Sequence, residues 1–212
     1  MRSALKFSLY LVTRRGALGE REFLNLILAA IEGGVTVVQL REKNTPTQEI
    51  ISLGKKLLWF LTPLQIPLII NDRVDIALAI KANGVHLGQS DLNIRQARKI
   101  LGKEVIVGIS VESLAQAKIA LQEDVDYLAA SPLFYTKTKI NCTHPWGLHH
   151  LRQLCMISRK PVIAIGGINE KNVEQVMACG TAGVAIVSAI FDSSCPRTSA
   201  QNLIKRIKGY EF

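Results

Sequence analysis

Short runs of β-branched and aliphatic residues alternate along the chain with longer stretches whose apolar positions recur at helical spacing. That alternation marks repeated βα units around a parallel sheet. The predicted strands are Phe7 to Val12, Val35 to Leu40, Leu68 to Ile70, Gly84 to His86, Val105 to Ile109, Tyr127 to Ala130, Val162 to Ile165 and Gly183 to Val187. Between and after them the pattern predicts helices over 20–33, 46–61, 73–81, 93–101, 112–122, 147–157, 170–179 and 199–208. Gly33-Gly34, Gly102 and Gly180 stand where helices should close, and Asp72, Asp91 and Asn169 stand where they should open as caps. The longest irregular stretch, Pro132 to Pro145, has the length of a lid or binding loop.

Eight βα units suit a closed barrel. An open doubly wound sheet is the alternative, but the Gly-x-Gly-x-x-Gly fingerprint after the first strand is absent. The expected fold class is therefore α/β, a single (β/α)8 TIM barrel, and 212 residues are enough for it, so 1–212 is expected to be one domain. Closure also says where to look for chemistry, because parallel barrels place it at the C-terminal ends of their strands.

Charge narrows the partners. A formal net charge of +9 suits phosphorylated small molecules, nucleic acid or an acidic membrane surface, and cannot choose among them. The basic cluster Lys205, Arg206 and Lys208 reads as the solvated end of the last helix; nucleic-acid binding would need interleaved aromatics or a reading element, so no nucleic acid is expected. Met1 to Val12 imitates a signal peptide but stops at Arg14 and Arg15, and no apolar run approaches the roughly 20 residues that cross a bilayer, so no membrane partner is expected. Cys142, Cys155, Cys179 and Cys195 are widely spaced without a C-x-x-C pair, which suits reduced thiols and a cytoplasmic location. The pattern leaves a homo-oligomer open.

At the second strand, alternation sends Gln39, Arg41 and Lys43 to one side and Leu40 and Glu42 to the other. A guanidinium fork beside an ammonium suits a diphosphate; a surface salt-bridge cluster with Glu42 is the alternative. Asn71 and Asp72 end the third strand and Asp91 follows the fourth. Two carboxylates near a diphosphate would make a hard oxygen site for Mg2+, unless both are helix caps. His86 reads as a buried, hydrogen-bonded histidine, and His144, His149 and His150 as surface residues. Ser110 places a hydroxyl at the fifth strand end, and Thr136, Thr138 and Lys139 in the long loop can wrap an anion or simply be solvated. Gly166-Gly167 and Val187-Ser188 end strands seven and eight, where many TIM barrels bind phosphate.

With these residues in view, the chain resembles the thiamine phosphate synthase family over nearly its whole length. The matching segments are YLVT at 10–13, VVQLREK at 37–43, LIINDRVDIAL at 68–78, GVHLGQSDL at 84–92, VGIS at 107–110, SPLFYTKTK at 131–139, PVIAIGGI at 161–168 and AGVAIVSAI at 182–190. The resemblance implies a Mg2+-dependent transferase joining a pyrimidine diphosphate to a thiazole phosphate, with pyrophosphate leaving first. It implies that Gln39 contacts the pyrimidine, that Arg41, Asn71, Ser110 and Lys139 hold the diphosphate, and that Asp72 and Asp91 bind Mg2+. Arg41, Lys139 and Ser110 would stabilise the departing charge, with Lys43 beside them. Thr136 and Thr138 would lie against the substrates, and Gly167, Val187 and Ser188 on the thiazole phosphate. Two departures stand out: Arg14 where the family often has aspartate, and Glu112 where histidine is common. The related thiazole tautomerase would keep that histidine and lose the metal carboxylates. A noncatalytic phosphate-binding barrel would not need the full set.

Overall fold

The computed structural model describes residues 6–136 and 145–209. Among them, eight parallel strands close in sequence order into a barrel. They are β1 (Leu9–Val12), β2 (Val37–Leu40), β3 (Leu68–Asn71), β4 (Gly84–Leu87), β5 (Ile106–Val111), β6 (Tyr127–Ala130), β7 (Val162–Ile165) and β8 (Gly183–Ile186). Closure comes from β1, where Leu11 is in register with Val38 on one side and Ile186 on the other. The helices are α1 (Glu20–Glu32), α2 (Thr47–Leu61), α3 (Val74–Ile80), α4 (Ile94–Leu101), α5 (Leu114–Ala120), α6 (Gly147–Ile157), α7 (Val173–Met177), α8 (Ser188–Phe191) and α9 (Pro196–Lys208).

The strands are apolar on both sides because both sides are covered. Leu9, Leu11, Val38, Leu40, Ile70, Val85, Leu128 and Val184 face the helix layer and share one core with it. Phe23, Ile27 and Ala30 of α1, four and three residues apart, are the fully buried stripe by which that helix joins it. The alternate strand positions fill the barrel itself: Tyr10, Val37, Ile69, Ile106, Tyr127, Ile163 and Ala185, with Phe7 beneath. Two tyrosines are large for that interior, and a glycine makes the room. Gly108 pairs with Tyr127, and a Cβ at Gly108 would lie 2.0 Å from the Tyr127 Cζ.

Three expected caps are corrected. Asp72 sits at φ +61 outside α3, whose flanking residue is Arg73. The cap of α4 is Asn93, whose side chain accepts from the Gln96 N–H at 2.9 Å, while Asp91 accepts from the Gly88 N–H at 2.7 Å. Asn169 closes a turn with the Lys171 N–H at 2.9 Å, ahead of α7. In each case another residue, Arg73, Asn93 or Asn172, flanks the first helical turn. The helices over 112–122 and 170–179 are shorter than expected, and the last begins earlier, at Pro196, whose fixed φ suits a first helical position. The short helix α8 was not expected; four residues are too few to show a helical period.

Candidate active site

The polar residues expected at the strand ends surround one cavity of about 460 Å³ at the C-terminal mouth of the barrel. Gln39, Arg41, Lys43, Asn71, Asp72, Asp91, Ser110, Thr136, Gly167, Val187 and Ser188 all line it. Thr138 and Lys139 lie outside the described residues.

The strand β2 carries its alternation out into the loop. Thr13 at the end of β1 fastens it: the Thr13 N–H donates to the Gln39 carbonyl at 2.9 Å, and the Arg41 N–H donates to Thr13 Oγ1 at 3.0 Å. Glu42 turns aside and accepts from Thr45 Oγ1 at 2.9 Å. Lys43 instead reaches over the mouth to Asp72, with Nζ 3.4 Å from Oδ2. The salt-bridge cluster around Glu42 is therefore not how these cations are held.

Asp72 hangs from the neighbouring strand, its N–H donating to the His86 carbonyl at 2.8 Å. Its carboxyl is raised above the ordinary carboxylate range, first by burial and then by the facing Asp91, with Lys43 partly offsetting both. Two carboxylates are thus brought together although their charges oppose it, an arrangement that a divalent cation would relieve.

Among the described residues the opposite rim carries no carboxylate pair and is built from backbone. Gly166 and Gly167 take φ of +108 and +68, which disfavours any side chain. They are also closely covered: a Cβ on either would come within 2.8 Å of Pro132 or Phe134 in the loop after β6. That loop is tied along β7 by the Leu133 and Phe134 N–H groups, which donate to Ile165 and Gly166 carbonyls at 2.8 and 3.1 Å. The sequence offered one reason for this glycine pair, close approach of a ligand; the structure adds the packing of the neighbouring loop. Beside it, Val187 and Ser188 open α8, where the Ile190 and Phe191 N–H groups both donate to the Val187 carbonyl, at 3.2 and 3.0 Å.

The floor between the rims is polar, and residue types alone did not show it. Gln39 Nε2 donates to the Tyr10 hydroxyl at 2.8 Å, Tyr10 and Tyr127 hydroxyls lie 3.0 Å apart, and Tyr127 meets His86 Nδ1 at 2.9 Å. His86 Nε2 meets Ser110 Oγ at 2.8 Å. His86 is buried and hydrogen-bonded as expected, whereas Tyr10 and Tyr127 read simply as strand residues. Their inward parity, with Gly108 beside one of them, was the available signal.

Arg14 at the end of β1 forms an ion pair with Asp192, which closes α8. Both side chains are exposed, so this is a surface contact between the loop after the first strand and the short helix beside the glycine rim. Glu112 lines the cavity edge, its N–H bound to Gln116 Oε1 at 2.7 Å. His149 and His150 are exposed and Cys155, Cys179 and Cys195 are free thiols, while Cys142 and His144 lie outside the described residues.

A closed parallel barrel with polar groups from most of its strands gathered at one mouth defines an enzyme of the TIM-barrel class. The particular family follows from comparison with known proteins. The model of the thiamine monophosphate synthase family matches residues 9–190. A thiamine-phosphate synthase of Albidiferax ferrireducens is 45% identical over 92% of this chain and 89% of its own. One from Methanobrevibacter smithii is 41% identical over 96% and 97%. A solved thiamine phosphate pyrophosphorylase from Pyrococcus furiosus superposes with a TM-score of 0.89 at 35% identity, covering 98% of each chain. The 3-hexulose-6-phosphate synthase of Salmonella typhimurium, at 15% identity and a TM-score of 0.76, shares the fold alone. The chain belongs to the thiamine monophosphate synthase family, and its activity is thiamine-phosphate synthesis, a transferase reaction of thiamine biosynthesis.

Proposed function

We propose that the cavity joins hydroxymethylpyrimidine diphosphate to hydroxyethylthiazole phosphate by a dissociative substitution, with Mg2+ at the carboxylate pair. One observation carries this reading. The cationic and acidic groups of β2, β3 and β4 face the glycine rim of β7 and β8 across the closed barrel, with Gln39 on the floor between them. Two separate anion-binding rims suit two phosphorylated substrates, and a cavity of about 460 Å³ has the size of a small-molecule site.

On this reading the diphosphate lies against Arg41, Lys43, Asn71 and Ser110, and Lys139 and Thr138 join from the loop segment outside the described residues. The donor chemistry at Asp72 and Asp91 fits Mg2+, which commonly takes one or two carboxylates and completes its shell with phosphate and water oxygens. Bound there, Mg2+ would neutralise charge on the leaving pyrophosphate. Arg41, Lys139 and Ser110 stabilise the same charge as the C–O bond breaks and the pyrimidine methyl cation forms. The thiazole phosphate, held at Gly167, Val187 and Ser188 and flanked by Thr136, keeps its ring nitrogen ready to capture the cation. No protein nucleophile is needed. A cytoplasmic location belongs to the same reading; among the described residues no helix is long and apolar enough to cross a membrane.

The test is direct. Purified protein given both substrates and Mg2+ should release thiamine phosphate and pyrophosphate in equal amounts, with turnover abolished by chelation. Thiamine phosphate formed at an undiminished rate in chelator would remove Mg2+ from the mechanism, and no product at any Mg2+ concentration would remove the substrates.

A further inference from the structure

The hydrogen-bonded floor of the barrel links five side chains from five strands, and its two ends are the groups assigned above to different parts of one substrate. Gln39 stands at the pyrimidine end and Ser110 at the diphosphate end. We propose that Tyr10, Tyr127 and His86 are positioning residues forming one hydrogen-bond spine, which fixes His86 as its Nε2–H tautomer and commits the Ser110 hydroxyl hydrogen to the diphosphate. The proposal rests on Ser110 facing that group.

The polarity of the spine follows from its first member. The amide nitrogen of Gln39 can only donate, so the Tyr10 oxygen accepts at 2.8 Å. The Tyr10 side chain is buried, and the Tyr127 oxygen 3.0 Å away is the acceptor in reach of its hydrogen. Tyr127 in turn donates to His86 Nδ1 at 2.9 Å, which leaves the ring proton on Nε2, and Nε2–H donates to Ser110 Oγ at 2.8 Å. Ser110 has then accepted its bond from the floor, and its own hydrogen is directed to the cavity. The reverse polarity would have Tyr127 donate to a Tyr10 oxygen already facing an amide donor. That would strand a phenol hydrogen in the barrel interior, which folding disfavours. Burial pushes both phenols upward, so both keep their hydrogens at neutral pH.

Packing holds the chain in place. The Tyr127 ring stacks on His86 with centroids 5.5 Å apart and is flanked by Phe7 at 4.8 Å and Tyr10 at 6.1 Å. A lone serine hydroxyl rotates to suit its surroundings. Here the rotor is set before substrate arrives, the kind of preorganisation that lowers the cost of stabilising a departing anion. Gln39, with its nitrogen committed to Tyr10, offers its carbonyl oxygen to the pyrimidine.

Two measurements test this on the full-length enzyme. The nitrogen-15 spectrum of the imidazole of His86 in the unaltered protein should show Nε2 protonated and Nδ1 bare; the opposite tautomer overturns the spine without any mutation. The second measurement is the affinity for pyrophosphate with Mg2+ in a double-mutant cycle of Ser110→Ala and Tyr127→Phe. Ser110→Ala should weaken binding about tenfold and Tyr127→Phe by a smaller factor, since it frees the Ser110 hydroxyl without removing it; the double variant should lose no more than Ser110→Ala alone, because without that hydroxyl the spine has nothing left to orient. Additive losses, with the double variant weakened by the product of the two single-variant factors, would show that Tyr127 acts independently of Ser110 and sink the spine alone. Wild-type binding by Ser110→Ala would instead remove Ser110 from the diphosphate site, and the spine with it.

Discussion

Replacing Gly108 by alanine tests the barrel floor with a single methyl group. The added Cβ would meet the Tyr127 Cζ, Cε1 and Oη at 2.0, 2.3 and 2.4 Å, well inside van der Waals contact. The ring cannot swing away, since Tyr127 is fully buried between Phe7, Tyr10 and His86. Overpacking of this kind costs about 1–3 kcal/mol, and a Tyr127 hydroxyl pulled from its partners adds about 1–3 kcal/mol more. Taking about 3 kcal/mol as the working value, a chain of this size should melt about 6–12 °C lower. Gly54→Ala is the control. Its Cβ would also fall well inside van der Waals contact, at 2.5 Å, but against the terminal Cδ1 of Ile80, a flexible tip, and alanine in α2 gains up to about 1 kcal/mol of helix propensity. Calorimetric melts of the two variants should therefore separate widely. A Gly108→Ala protein melting within about 2 °C of the unaltered chain would refute the claim that Tyr127 is locked in place.

The remaining expectations concern charge. Asp91→Ala should lose Mg2+-dependent turnover far more than stability, because the carboxylate closes a turn onto Gly88 rather than capping α4; equal losses in kinetic and melting measurements would contradict this. Asp72→Asn should abolish turnover yet raise the Tm of the metal-free protein near neutral pH. The folded carboxyl is raised by burial and by Asp91, so its ionised form is penalised and its contribution to stability falls as pH rises through the carboxylate range. Asparagine keeps the left-handed backbone preference at that position and removes the penalty; a metal-free Tm unchanged across pH by the substitution would count against it. Arg98→Met should destabilise by about 3 kcal/mol or more in denaturant melts, because it takes the guanidinium away from the largely buried Asp126 carboxylate 2.5 Å from it. A loss below about 1 kcal/mol would mean that water reaches Asp126.

The βα alternation was legible because each strand is an apolar run and each long helix carries a stripe such as Phe23, Ile27 and Ala30. Chemical type and parity were also enough to bring Gln39, Arg41 and Lys43 to one side of a strand. Caps were less legible: Asp72, Asp91 and Asn169 are residues that cap well, but whether they do depends on where the first turn begins, to within a residue. Short α8 escaped because its formation depends on what surrounds it. Arg14 stood out in sequence only as a departure from the family's usual aspartate, and its partner Asp192, 178 residues away, was not legible there.

Local order in the chain, then, determined the barrel class, the eight strand ends and the residue types available at the mouth, because period and parity are properties of neighbours along the sequence. Only the tertiary structure decided which groups meet across the barrel. It set Asp72 against Asp91 and Lys43, packed the loop after β6 over Gly166 and Gly167, and joined Gln39 to Ser110 through Tyr10, Tyr127 and His86. Those contacts span distant strands, and closure of the sheet, with one glycine making room for one tyrosine, is the physical event that creates them.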